Sequence, residues 1–238
     1  MKKPELLAPA GTLERLKTAI AFGADAVYAG GEAFSMRTAA KNFSADDLKR
    51  GRELTLSQNK KLYIAVNIIP HEADLEVLPA YLSELEALSP DGLIISDLGV
   101  LSLAKRYAPS VPIHISTQAN NVNSETFSMW HSLGASRVVC ARELSFEEIK
   151  QIRSKIPKDM EIEAFIHGAM CISYSGRCLL SNYMTGRDSN QGSCAHPCRW
   201  NYSLMEEQRP GEYYPVYENE RGTYIFNSRD LCMIEYIP

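Results

Sequence analysis

What this chain lacks narrows its function before any motif is read. No apolar run approaches the ~18 to 20 residues that cross a bilayer. Lys2 and Lys3 are not followed by an apolar stretch, so no export signal is expected and the chain is placed in the reducing cytoplasm. Lys and Arg never run longer than two residues and the net charge is −4, which excludes a generally basic nucleic-acid-binding surface. Hydrolytic signatures are missing too. There is no G-x-S-x-G elbow, no H-E-x-x-H helix and no aspartic dyad motif.

Cysteine is scarce, and its distribution is uneven. Of six thiols, four fall at Cys171, Cys178, Cys194 and Cys198, in the spacing C-x6-C-x15-C-x3-C. Cysteines scattered as small core residues have no reason to bunch. Disulfides are the weakest explanation for a chain without an export signal. Zinc prefers two tight pairs, and only Cys194 and Cys198 make one. Long, uneven spacing suits an iron–sulfur cubane held by separate turns, with zinc remaining open. Cys232 competes with Cys198 for a fourth ligand position. Cys140 lies among Val138, Val139 and Ala141 and reads as core.

Elsewhere, short apolar runs alternate with amphipathic stretches. Strands are expected at Glu5–Ala8, Ala26–Ala29, Leu62–Asn67, Gly92–Asp97, Ile113–Gln118, Arg137–Arg142 and Glu161–His167. Thr12 and Ser44 are placed to cap intervening helices. Seven such units without a composition break predict an incomplete (β/α)8 TIM-type barrel, one domain over 1–238, with the cysteine-rich segment 171–198 inserted after the seventh strand. Asn67, Asp97, Gln118, Arg142 and His167 would then share the C-terminal rim. Period-two alternation sends Glu163, Phe165 and His167 to one face and turns Glu163 inward. There it is either a structural ion pair, with Arg142 or Arg37, or a catalytic group. Segment 201–223 reads as a hairpin or long loop. A last helix is expected from Ser228 to Pro238, with an eighth strand and a further domain downstream.

The run EAFIHGAMCISYSGRCLLS, Glu163 to Ser181, matches E-x-F-x2-G-[SA]-[LIVM]-C-x4-G-x-C-x-[LIVM]-S at all ten specified positions. That pattern resembles the signature of the peptidase U-32 family. The likeness extends to NQGSCAHPCRW (190–200), NSRDL (227–231), ELLAPAG (5–11) and GADAVY (23–28). It implies oxygen-independent hydroxylation supported by a [4Fe–4S] cluster on Cys171, Cys178, Cys194 and Cys198. The RNA-modifying branch resembles this chain most, which implies 5-hydroxylation of tRNA wobble uridine with prephenate as hydroxyl source. tRNA and the iron–sulfur assembly machinery are the implied partners. Glu163 and His167 are candidate catalytic residues. Arg37, Gln118 and Arg142, together with His167, are candidates for an anionic donor on charge and rim position. A collagenase-like peptidase and a non-catalytic iron–sulfur scaffold are the alternatives.

Overall fold

A computed structural model describes residues 3–35, 42–168, 170–205, 207–208, 210–215, 231–232 and 234. Seven strands form one sheet: β1 (Leu7–Ala10), β2 (Ala26–Gly30), β3 (Lys61–Val66), β4 (Gly92–Ile95), β5 (Ile113–Ile115), β6 (Arg137–Val139) and β7 (Glu161–Glu163). Every neighbouring pair is parallel and the spatial order is the chain order. A doubly wound sheet would reverse its strand order, so that alternative is excluded.

The helices α1 (Leu13–Ala21), α2 (Ala45–Ser57), α3 (Glu72–Leu88), α4 (Leu98–Tyr107), α5 (Ser124–Ser132) and α6 (Phe146–Lys155) make the crossovers. Their starts follow the local chemistry. Thr12 Oγ1 accepts from the Arg15 N–H at 3.3 Å, and Ser44 Oγ from the Asp47 N–H at 3.2 Å. Asp97 caps α4 by accepting from Gly99 and Val100 at 2.7 and 3.1 Å. Its carboxylate therefore serves the helix terminus.

The sheet has two unlike faces. Outward side chains such as Val27, Leu62, Ile64, Leu93, Ile95, Ile115 and Val138 pack with Leu16, Leu78, Leu82, Val100 and Phe127 in one large apolar core under the helices. Inward ones are fewer and partly polar: Ala26, Tyr63 and Ile94 pack with Leu7 and Tyr28, beside His114 and Arg137. Curling of the sheet is visible in one bond. Arg137, at the start of β6, places Nη1 2.9 Å from Oε1 of Glu5, just before β1. Such a contact across the interior requires the two ends of the sheet to approach each other, as in a barrel lacking its closing strand.

Strands end sooner than the sequence suggests. β5 stops at Ile115, and Thr117–Ala119 form a single 3-10 turn. β7 stops at Glu163, so the alternation linking Glu163 to His167 does not run through. His167–Gly168 instead form a short strand, β8, exposed at His167 and antiparallel to a strand at Leu231–Cys232. Leu231 and Cys232 are thus extended where a helix was expected. Between them in the chain lie a hairpin of Ser203–Met205 and Tyr213–Pro215, labelled β9 and β10, and the short helix α7 (Leu180–Thr185). The Leu231–Cys232 strand is β11.

Candidate functional site at the C-terminal rim

Polar side chains beyond the strand ends lock together. Asn67, after β3, donates from Nδ2 to Gln118 Oε1 at 2.7 Å, and Ser116 Oγ donates to the same oxygen at 2.8 Å. Ser96 Oγ donates to the Asn67 carbonyl at 2.9 Å. Fully buried Asn121 ties the β5 and β6 exits by donating to the carbonyls of Ser116 and Val139 at 3.1 and 3.0 Å.

The cysteine-rich segment lies on this rim. Gly176 has φ +75°, and a Cβ there would stand 3.0 Å from Gln118 Cβ, so only glycine lets the chain pass so close. The Ile69 N–H donates to the Asn190 carbonyl at 3.1 Å, and Gln191 Nε2 to Asp74 Oδ2 at 3.3 Å. Arg142, after β6, donates from Nη2 to Ser175 Oγ and to Cys171 Sγ, the latter at 3.5 Å, while its guanidinium covers the Phe165 ring at 5.4 Å.

Internal bonds fold the segment onto itself. Ser189 Oγ donates to the Cys178 carbonyl at 2.5 Å, and the Ala195 N–H donates to buried Ser181 Oγ at 3.0 Å. His196 takes a left-handed φ of 55°, and its N–H points to Cys194 Sγ at 3.4 Å. None of the four thiols is in a disulfide; Cys171 is exposed and the others are half-buried. Burial pushes the Cys198 thiol up, and neighbouring Cys194, Cys178 and Cys171 add to that effect against Arg199. Cys198 thus lies within electrostatic reach of the other three sulfurs. Among the described residues, no three His, Cys, Asp or Glu side chains close around a single ion.

Glu163 belongs elsewhere. Its Oε2 lies 3.2 Å from Arg137 Nη1, so the ion-pair partner is Arg137 and not Arg142; Arg37 lies outside the described residues. Arg137 also reaches Glu161 at 2.5 Å and Glu5 at 2.9 Å, and Lys61 Nζ reaches Glu5 at 2.6 Å. Two cations thus face three carboxylates. Burial pushes Glu5 up, but hydrogen bonds from Lys61, Tyr63 and Arg137 outweigh it and hold the carboxyl at about 2. Glu163 carries the excess: burial raises its pKa more than Arg137 lowers it, and Glu5 and Glu161 push it further up. Beside this network His114 stands edge-on to Tyr63, with ring centroids 4.7 Å apart, and burial plus the Arg137 charge lowers its pKa to about 3.

Sequence reasoning missed Arg137, Glu5, Lys61 and Tyr63. An arginine opening the apolar run of β6 on its inward face was the available signal. It likewise missed Ser175, an unspecified position inside the signature.

Comparison with known proteins fits this layout. The model for peptidase family U32 matches residues 11–238. The chain belongs to peptidase family U32. It is 42% identical over 276 residues to tRNA hydroxylation protein P of Escherichia coli strain K12, covering all of this chain and 61% of the relative. Identity to tRNA hydroxylation protein P1 of Bacillus subtilis strain 168 is 43% over 237 residues, again all of this chain and 56% of the relative. The chain therefore spans about three-fifths of these relatives' length. The solved structure of the U32 peptidase Mk0906 shares the fold at a TM-score of 0.61 and 15% identity, covering 92% of this chain and 90% of that one.

Proposed function

We propose that this U32 chain is the barrel part of an enzyme that 5-hydroxylates the wobble uridine of tRNA in the cytoplasm, with prephenate as hydroxyl source and a [4Fe–4S] cluster on Cys171, Cys178, Cys194 and Cys198. What supports the cluster is the four-cysteine spacing of the family resemblance, with none of the four thiols in a disulfide and Cys198 within electrostatic reach of the other three. The donor set fits the group. Each thiolate of a cubane binds a different iron, so four ligands stand further apart than around one zinc ion. A bound cluster would supply one-electron transfer.

This chain's own residues supply the surroundings. Arg142 and the His196 N–H donate toward sulfur, and Gly176 and Asn190 hold the segment against the rim. Gln118 is fixed by Asn67 and Ser116 with its amide oxygen already accepting twice, which leaves its amide nitrogen as the donor for an anionic co-substrate. Exposed His167 is a further candidate. Glu163, bound to Arg137 inside the barrel, serves architecture in this reading. Identity of about 42% to proteins named for tRNA hydroxylation supports the substrate class.

The test is mass spectrometry of tRNA nucleosides from a deletion strain carrying wild-type or Cys171→Ser protein. Wild type should restore 5-hydroxyuridine and the serine variant should not. Restoration by both would reject the role assigned to the thiols. The family's description as peptidases favours a second reading, which predicts gelatin cleavage by protein free of iron.

A further inference from the structure

Arg142 occupies a place the reading above leaves undefined. Its Nη2 donates to the Sγ of Cys171 at 3.5 Å and to the Oγ of buried Ser175, and its guanidinium plane covers Phe165. These contacts hold a permanent cation against one sulfur. Cys171 is also the exposed member of the four cysteines. We infer that Arg142 is a positioning residue for the four-thiolate site, whose charge-assisted bond to Cys171 raises the reduction potential of the bound cluster, in place of the clamp on an anionic substrate that rim position alone suggests. The inference rests on the cluster proposed above.

The physical reason is charge. Reduction adds one electron to the cluster and no proton or atom. A fixed cation at its sulfur favours the more negative state, and hydrogen bonds to ligand sulfurs act in the same sense. Methionine at this position would keep an apolar stem over Phe165 while removing the charge and both donors. Lysine would keep the charge but lose the planar fork.

The experiment is a potentiometric titration of the anaerobically purified full-length protein, followed by EPR of the reduced cluster, for wild type, Arg142→Met and Arg142→Lys. A low-potential chemical reductant supplies the electron. Arg142→Met should shift the couple at least tenfold toward the oxidised form, ~59 mV downward for one electron. Arg142→Lys should fall between the two and retain the cluster even where the methionine variant loses it. Potentials and EPR spectra of loaded variants that coincide with wild type overturn the inference alone. Wild-type protein without a sulfur-ligated iron cluster overturns the cluster reading, and this inference with it.

Discussion

His114 and Gly92 form one packed unit across β4 and β5. A Cβ on Gly92 would stand 2.7 Å from His114 Cε1, and the ring is held in place by Tyr63. Gly92→Ala should therefore destabilise the fold by about 1–3 kcal/mol in chemical denaturation. Shortening the ring with His114→Ala in the same chain should recover part of that loss, a coupling that a double-mutant cycle measures. The ring also sets an acid response. Its folded pKa of about 3 lies below the ordinary value of 6.5, so the unfolded chain takes up the proton first as pH falls. Stability from this group is complete above pH 6.5 and declines toward about pH 3. Glu5, lowered from 4.5 to about 2, adds a loss of the same sign only below about pH 4.5. His114→Gln should flatten the dependence between pH 6.5 and 4.5, measured by urea midpoints. An unchanged slope there would show that His114 is not held neutral.

At the level of elements, Arg137 bridges the barrel's open seam. Arg137 leaves β6 and bonds to Glu161 and Glu163 on β7 and to Glu5 ahead of β1, with its own side chain only 8% exposed. Arg137→Met leaves mostly buried Glu163 without its cation, while Glu5 keeps Lys61 and Tyr63 and Glu161 faces solvent, and should cost about 3 kcal/mol, with loss of cooperative unfolding as the signature of a loosened seam. Glu163→Gln removes the carboxylate in excess and should cost much less while preserving any bound cluster. Equal losses for both variants would contradict the charge count. The seven strands and their order were legible in the sequence, because apolar runs and capped amphipathic helices alternate in it so regularly. Their ends were not. Polar residues beyond Ile95, Ile115 and Val139 continue an extended pattern in sequence, whereas Asp97 caps a helix and Ser116 caps a turn. Nor was the Glu163–Arg137 pair legible, since a contact between neighbouring strands depends on register. Leu231–Cys232 read as helix from Ser228 onward, but pairing with β8 decides the conformation there.

For the whole molecule, the rim and the cysteine segment act as one body. Bonds at Ile69, Asp74 and Arg142, with the close approach of Gln118 to Gly176, tie residues 175–191 to the rim, so the segment is positioned by the barrel's loops as well as by its own turns. The spacing of the four cysteines predicts a shared site, and the resemblance to the family signature implies its chemistry. Which barrel residues support it depended on three-dimensional placement, as Arg142 and Ser175 illustrate. The net charge of −4 argues against a generally basic surface on this chain. The most direct test of the central claim is metal and acid-labile sulfide analysis of protein purified without oxygen, for wild type and for Cys198→Ser. The account predicts about four iron and four sulfide per wild-type chain, with a brown chromophore, and loss of both in the variant. One zinc per chain without sulfide, or an iron content unaffected by the serine, would contradict it.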